Sequence, residues 1–190
     1  MSSKEHTLLI SPIGDPDVDQ ELLEQVGKEI RRVFGYDTEI QPLIEEKDLW
    51  LDPVRKQYHS TPILETLAII SPPEAIKVLA ITKVDLFIPI LTHVYGEAQL
   101  GGKACILSTN RFTEGLALGT EVFRHRIVKE AIHELGHTFN LRHCQDPACV
   151  MHYCRSLKEV DRKSNQLCRY CAVLLEDEMK RLAKGTLRQP

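Results

Sequence analysis

The sequence predicts an α/β fold with a mixed, twisted sheet that is mostly parallel and ends in an antiparallel edge strand. Two observations support this fold class. Segments of strand type alternate with segments of helical periodicity along most of the 190 residues, and such alternation is typical of α/β proteins. Two short extended pieces flank Gly101 and Gly102, which indicates a hairpin with antiparallel strands. No composition break marks a second domain, so residues 1–190 are predicted to form one domain.

The first strand and the first helix are predicted near the N-terminus. Residues 6–14 are largely apolar and end in a turn, as a strand would. Asp15 and Pro16 then supply a helix start, with an N-cap followed by proline at the first helical position. Gly35 is well placed to end this helix. Apolar residues recur between these points at helical spacing: Val18, Leu22, Val26, Ile30 and Val33.

The next segments continue the alternation with less regular patterns. Residues 38–44 predict a second strand, which a proline weakens, whereas residues 45–60 are polar and predict irregular structure. A second helix is predicted from Thr61 to about Ile70. Residues 77–91 are rich in β-branched and apolar residues, which predicts one buried strand followed by a loop or a second extended piece.

The second half of the chain is predicted to hold the hairpin and two long helices. Residues 94–112 contain the two extended pieces of the hairpin. A long helix should begin at Thr120, and a final helix is predicted over about 157–184. The apolar stripe of the long helix consists of Phe123, Ile127, Ala131, Leu135 and Phe139, while a different face carries Glu130, His133, Glu134 and His137.

Composition and charge narrow the possible functions. Hydrophobic residues make up 43% of the chain and charged residues 27%, which excludes a disordered protein. The net charge of −3 gives no basic surface for phosphates, so no nucleic-acid partner is expected. The apolar run near the N-terminus is too short for a signal peptide or a membrane span. We therefore expect a cytoplasmic protein without a membrane partner, in which six cysteines serve as ligands, catalytic groups or buried thiols.

The stretch HELGHTFNLRHC, residues 133–144, contains the most informative motif. His133 and His137 stand four residues apart, so on a helix both imidazoles project from one face and can reach one Zn²⁺. Glu134 would be positioned as the general base for a zinc-activated water. His143 supplies a third ligand, and three protein ligands leave one position open, as in catalytic zinc sites. The alternative is an amphipathic helix that happens to carry exposed histidines.

For His143 to join this site, the chain must leave the helix after about residue 139 and turn sharply. Asn140 is the residue expected to make that turn at positive φ, where glycine is the usual occupant and asparagine the next best. Here the sequence resembles the metzincin zinc proteases, whose motif H-E-x-x-H-x-x-G-x-x-H is matched by His133, Glu134, His137 and His143. Asn140 departs from the glycine of that motif.

The cysteines after the third histidine narrow the resemblance to the archaemetzincins. That family's pattern is filled here by Cys144, Cys149, Met151, Cys168 and Cys171. The resemblance implies a metzincin-like single-domain fold, in which the mixed sheet packs against an active-site helix and a C-terminal helix. Two thiolate pairs brought together would form a closed four-thiolate zinc site. Such a site would staple the irregular tail after His143 against the start of the last helix. The tail and that helix form a C-terminal part of about residues 139–190, which follows an N-terminal α/β part of about residues 1–138.

Three further residues lie near the motif, and two of them have two interpretations each. Cys154 is either a spare buried thiol or an alternative zinc ligand, and we favour the thiol. Met151 resembles the methionine of the tight turn beneath the catalytic zinc in metzincins, a packing residue. Tyr153 stands where a tyrosine approaches the zinc in some metzincins, although packing or surface exposure is the other interpretation.

The predicted hairpin also resembles the strand that lines the cleft in metzincins. Its edge strand could pair with an extended peptide through main-chain hydrogen bonds. Glu97, within it, either contacts a substrate amino group or is an exposed carboxylate. Cys105 is predicted to lie in the core.

The sequence therefore predicts a zinc metallopeptidase of the archaemetzincin type with two zinc ions per chain, one catalytic and one structural. Its expected partner is a peptide or an unfolded polypeptide, and a monomer is favoured. The resemblance also suggests aminopeptidase-like action, with endopeptidase action left open. The alternative is a non-catalytic zinc-binding protein or partner-binding module that retains the fold.

Overall fold

The architecture is α/β, as predicted. The computed structural model describes residues 7–14, 19–45, 50–113, 115 and 119–186. The strands are β1 (Thr7–Ile13), β2 (Thr38–Ile40), β3 (Leu51–Asp52), β4 (Gln57–His59), β5 (Ala75–Thr82), β6 (Leu86–Phe87), β7 (Gly96–Ala98) and β8 (Ala104–Ser108). The helices are α1 (Gln20–Phe34), α2 (Ser60–Ile70), α3 (Glu121–Thr138), α4 (Leu157–Arg162) and α5 (Arg169–Thr186), and a 3-10 turn spans Asn110–Thr113.

The main sheet has five strands in the order β2-β1-β5-β8-β7. The first four strands are mutually parallel, and β7 runs antiparallel to β8. This arrangement confirms the prediction of a mostly parallel sheet with an antiparallel edge strand. The two hairpin strands flank the predicted glycine pair, of which Gly101 has a φ of 67°.

Helices cover both faces of this sheet. The side chains of β8 alternate, so that Cys105 and Leu107 belong to the core formed with α1 and α3, whereas Ala104 and Ile106 belong to the core formed with α2. The predicted apolar stripe of α3 is buried. The edge strand β7 and the helix α3 are therefore held next to each other by their shared neighbour β8.

The first helix begins later than predicted. Asp15 and Pro16 lie outside the described residues, and α1 begins at Gln20, where the carboxylate of Asp19 accepts a hydrogen bond from the Leu22 N–H. Gly35, with a φ of 73°, ends the helix as predicted. The long helix α3 begins as predicted, since the Thr120 hydroxyl accepts from the Phe123 N–H.

Residues 45–60 were predicted to be irregular, and this was wrong for part of the segment. β3 and β4 form a short antiparallel hairpin, and β4 pairs in parallel with β6 in a second, three-stranded sheet. The turn of this hairpin is closed by the Asp52 carboxylate, which accepts from the Val54 and Arg55 N–H groups. Strands of two or three residues are too short to show an apolar alternation in the sequence.

The single C-terminal helix predicted over 157–184 was also wrong. The chain breaks between α4 and α5 because main-chain groups of that segment bond back to residues 148–150. The Ser164 N–H donates to the Ala148 carbonyl, and the Gln166 carbonyl accepts from the Val150 N–H. This turn brings Cys168 to the cysteines that follow His143. None of the described helices has the length and apolar composition needed to cross a membrane.

Candidate metal centres

The end of α3 has the geometry that the histidine motif requires. The Leu141 N–H donates to the Gly136 carbonyl and the Asn140 N–H donates to the His137 carbonyl, which is the hydrogen-bond pattern of a Schellman cap. Asn140 occupies the left-handed position of this cap with a φ of 63°. The predicted turn therefore lies at Asn140, and it directs the following residues back over the helix, where His143 meets the other two histidines.

The three imidazoles converge on one point. The Nε2 atoms of His133 and His137 are 3.1 Å apart, and one ring nitrogen from each of the three histidines lies within 4.8 Å of the others. Zn–N bonds of about 2.0–2.1 Å in a tetrahedral site imply nitrogen separations of about 3.4 Å. The donor set thus fits a zinc ion after small side-chain movements.

Two main-chain carbonyls orient these rings. The Nδ1 of His133 lies 2.9 Å from the Val150 carbonyl oxygen, and the Nδ1 of His137 lies 2.7 Å from that of Leu141. Each carbonyl favours the tautomer protonated at Nδ1, which leaves the Nε2 lone pair for a metal. Burial lowers the pKa of all three imidazoles, that of His137 to about 4, so they are neutral near pH 7. A neutral imidazole is the form that binds metal.

Glu134 lies beside the histidines in a buried, charged environment. Its side chain is 5% exposed. Burial, followed by the charge of the neighbouring Glu130 carboxylate, raises the pKa of Glu134. The positive charge of a bound dication would lower the pKa of Glu134 instead. Lys163 lies under the same site, and its Nζ donates to the Val150 and His152 carbonyls.

Four cysteines form a second cluster. One sulfur from each of Cys144, Cys149, Cys168 and Cys171 lies within 4.8 Å of the others. The sulfurs of Cys144 and Cys168 are 3.7 Å apart, which matches the separation of about 3.8 Å implied by Zn–S bonds of about 2.3 Å in a tetrahedral site. The donor set therefore fits a closed four-thiolate zinc.

The two clusters are joined by a short stretch of main chain. The Cys144 N–H donates to the Met151 carbonyl at 2.9 Å, and His152 Nδ1 lies 2.9 Å from the Cys144 carbonyl oxygen. Met151 is fully buried and packs against Gly136 of α3, as expected for a packing residue beneath the histidines. Cys144, the residue directly after His143, belongs to the cysteine cluster, so the cluster holds the segment that presents His143.

Comparisons with known proteins show the family of this chain. The family description of peptidase family M54 matches residues 54–177. The archaemetzincin of Methanocaldococcus jannaschii is 38% identical over 173 residues, with 90% of this chain and 93% of that protein covered. The chain belongs to the archaemetzincins, peptidase family M54. It is accordingly a zinc metallopeptidase, a hydrolase, as the sequence predicted.

Solved archaemetzincin structures have the same fold. The crystal structure of archaemetzincin from Methanopyrus kandleri matches with a TM-score of 0.80 and 31% identity, covering 95% of this chain and all of that one. A zinc-dependent peptidase from Methanocorpusculum labreanum matches with a TM-score of 0.77 and 29% identity, covering 87% and 99%. These matches confirm the predicted fold class.

The histidines of this archaemetzincin open into a cleft of about 560 Å³. Tyr153 lines the cleft, and its ring centroid lies 5.0 Å from that of His143. Cys154 also lines the cleft, is half-buried and is not one of the four clustered cysteines, and its interpretation as a spare thiol stays a prediction. Cys105 is fully buried in the core, as predicted.

Glu97 lies in a setting that the sequence did not reveal. It is half-buried, and its carboxylate accepts hydrogen bonds from the hydroxyls of Ser60 and Thr61 at the start of α2. The interpretation as an exposed carboxylate was therefore wrong, because α2 packs its first turn against β7. Contact between Glu97 and a substrate amino group stays a prediction.

Two residues of the site were assigned no role at the level of sequence. Glu130 stands one helical turn before Glu134 on the polar face, and this i, i+4 spacing was a usable signal. For Lys163 the sequence offered no such signal, because this residue lies 30 residues from His133 within a segment predicted to be a continuous helix.

Proposed function

We propose that the peptidase hydrolyses peptide bonds with His133, His137 and His143 holding a catalytic zinc and Glu134 acting as general base. The observation that carries this proposal is the convergence of three neutral imidazoles beside a buried carboxylate, in the lining of an open cleft. A closed cluster of the same ligands would instead suit a structural ion.

The chemical role of each group follows from its position. Zinc, when bound, makes water more acidic and polarises a carbonyl oxygen. A carboxylate oxygen of Glu134 accepts the proton of the attacking water and then hands it to the departing amine nitrogen. Glu130 supports the first of these steps, because its negative charge raises the pKa of Glu134 and so makes the Glu134 carboxylate a stronger base.

The edge strand β7 is the proposed binding surface for the peptide backbone. On the sheet side, the Tyr95 carbonyl accepts a hydrogen bond from the Ser108 N–H, and the Gln99 N–H donates to the Ala104 carbonyl. In this register Gly96 and Ala98 belong to the non-hydrogen-bonded pairs, so their N–H and C=O groups point to the free edge. An extended peptide would pair with those groups directly above the three histidines.

A second zinc at the four cysteines is proposed to be structural. Its four thiolates complete a tetrahedral shell, which leaves no position for a substrate. The ion would hold Cys144, and with it the adjacent His143, at a fixed distance from α3. We keep the predictions of a monomer, of a cytoplasmic location and of no nucleic-acid or membrane partner.

Metal content per chain, together with peptide cleavage, tests this proposal. Protein purified without added zinc should contain two zinc ions, and His137→Ala and Cys168→Ser should each lose one. Glu134→Gln should keep both ions and lose cleavage. If the parent holds a single ion that only Cys168→Ser removes, the histidines do not form a zinc site and the non-catalytic zinc-protein interpretation is favoured.

Aminopeptidase-like action requires a separate comparison. Peptides that differ only in a free or an acetylated N-terminus should be cleaved at different rates if the α-amino group is recognised. Glu97→Gln should reduce this difference if Glu97 contacts that group. Equal cleavage of both peptides would indicate endopeptidase action.

A further inference from the structure

A second recess extends the cleft beyond the histidines. It has a volume of about 440 Å³ and shares His93, Tyr95 and Arg155 with the cleft, so the two spaces adjoin. The recess is lined by His93, Tyr95, Asn110, Arg111, Thr113, Arg155, Ser156 and Leu157. Among the described residues that line it, there are two arginines and no carboxylate.

The two arginines of this recess differ in their ion pairs. Arg111 forms a bidentate ion pair with Asp85, with both N–O distances at 2.7 Å. Arg155 uses its main-chain N–H to bind Glu159, and its guanidinium carbon lies 6.0 Å from the ring centroid of Tyr153. Within the part of the chain that the structure describes, the Arg155 guanidinium has no carboxylate partner. The recess therefore presents one uncompensated, bidentate donor for an anion.

The direction of a bound peptide decides which of its residues would reach this recess. Antiparallel strand pairs are the commoner arrangement, and β7 itself pairs antiparallel with β8. A peptide antiparallel to β7 would run from Ala98 toward Gly96, and then past Tyr95 and His93. Glu134 adjoins Gly96, so the bond to be cleaved lies near that residue. The recess is thus reached by residues on the C-terminal side of the cleaved bond.

We propose that Arg155 in this recess binds a carboxylate of the substrate on the C-terminal side of the cleaved bond. The carboxylate belongs either to an acidic side chain or to the C-terminus of a short peptide. This proposal rests on the proposed function, because it assumes that the peptide pairs with β7 and is cleaved beside Glu134. It makes Arg155 a specificity-determining residue and acidic or short peptides the preferred substrates.

Arg142 offers a matched control. It lines the same cleft and is exposed, but it does not line the recess, and it lies two residues after Asn140, whose side chain is close to Gly101. It therefore lies toward the Ala98 end of β7, away from the recess. Arg142→Gln removes the same charge from the same cleft without touching the proposed carboxylate site.

The test compares peptides that differ in a single carboxylate. One series carries Glu or Gln at the first, second or third position after the cleaved bond, and another ends in a free acid or an amide. The parent should favour the carboxylate member of at least one pair by about tenfold in kcat/KM, as for a charge-assisted hydrogen bond. Arg155→Gln should abolish this ratio, and Arg142→Gln should keep it. A Glu preference identifies the side chain as the source, and an acid preference identifies the C-terminus.

A binding measurement separates this proposal from the proposed function. The Glu134→Gln protein, loaded with zinc, is titrated with fluorescent versions of the same peptides, and the anisotropy gives Kd. A carboxylate preference in Kd that Arg155→Gln removes supports the recess even where no peptide is cleaved. Equal Kd values for both members of every pair, or a preference that Arg155→Gln retains, would overturn it.

Discussion

Gly96 on the edge strand faces Glu134 on the active-site helix so closely that a methyl group would not fit between them. A Cβ atom at Gly96 would lie 2.7 Å from Cγ and 2.8 Å from Oε1 of Glu134, and 2.8 Å from the Ile106 carbonyl oxygen. The Ile106 carbonyl belongs to the sheet and cannot rotate away. Glu134 would therefore have to move.

Gly96→Ala should lower peptide cleavage by about a hundredfold, because a displacement of about 1 Å at a catalytic group has an effect of that order. Its zinc content should stay at the parent value, since none of the three atoms nearest to the added methyl group belongs to a histidine. The measurement is kcat/KM with metal analysis on the same sample.

Gly35→Ala is the matched control for this change. Gly35 has a φ of 73°, and a methyl group added there would meet no heavy atom within 4 Å, so the substitution strains the backbone without touching the cleft. It should cost about 1 kcal/mol of unfolding free energy and leave cleavage unchanged. Parent-like cleavage by Gly96→Ala would show that Glu134 is not held by this contact.

Asn140 occupies a left-handed position for which glycine is better suited. Asn140→Gly should raise the unfolding free energy by a few tenths of a kcal/mol, and Asn140→Val should lower it by about 1–2 kcal/mol. Because this turn presents His143, Asn140→Val should also weaken zinc binding at the histidines. Thermal unfolding and zinc affinity are the two measurements.

Lys56 provides the comparison for Asn140, since it also has a positive φ, of 53°, but lies in the β3–β4 turn. Lys56→Gly should stabilise the protein without any change in zinc affinity. If Asn140→Val kept parent zinc affinity, the Schellman cap would not control the position of His143.

The sequence allowed the histidine cluster to be predicted because its geometry is local. His133 and His137 lie one helical turn apart, and the turn at Asn140 depends on a single backbone conformation. The start of α3 and the hairpin were predictable for the same reason, since Thr120 and the glycine pair act over three or four residues.

The surroundings of the ligands could not be predicted because they depend on tertiary contacts. Lys163 reaches Val150 only after the chain breaks between α4 and α5, and that break is fixed by main-chain hydrogen bonds that leave no pattern in the side chains. The hydroxyls that bind Glu97 come from α2, 36 and 37 residues earlier. The proposed role of Arg155 likewise depends on its position in the recess, which the sequence does not reveal.

Cys171→Ser should destabilise the C-terminal segment, because it removes one of four clustered sulfurs. The loss of one zinc per chain should accompany faster hydrogen exchange over residues 144–171, since metal binding contributes folding free energy there. Cys154→Ser is the matched change of a cysteine outside the cluster, and it should keep both the zinc content and the exchange rates. A variant Cys154→Ser that lost one zinc would assign Cys154 as a ligand instead.

Lys77 gives a pH dependence of stability that can be checked directly. Its Nζ is buried and donates to the Gly102 and Thr138 carbonyls, both at 2.7 Å, so it ties the hairpin turn to the end of α3. Burial lowers the pKa of Lys77 to about 8, although Glu178 opposes this shift. Between about pH 8 and the ordinary lysine value of 10.5, the unfolded chain binds more protons than the folded one. This group therefore makes stability increase as the pH rises through that window.

Urea unfolding of the zinc-loaded protein measures how the unfolding free energy changes with pH. The pH values are 7.5, 8.5 and 9.5, chosen to span roughly the start of this titration. Lys77→Met should have a less positive slope than the parent, because it removes a group that is deprotonated earlier in the folded state. Lys180→Met is the control, since Lys180 is exposed and its ion pair with Glu176 raises its pKa, so that it stays protonated in both states over this range. Its slope should equal the parent's. Equal slopes for the parent and Lys77→Met would mean that Lys77 keeps an ordinary pKa, and that the two carbonyls compensate for its burial.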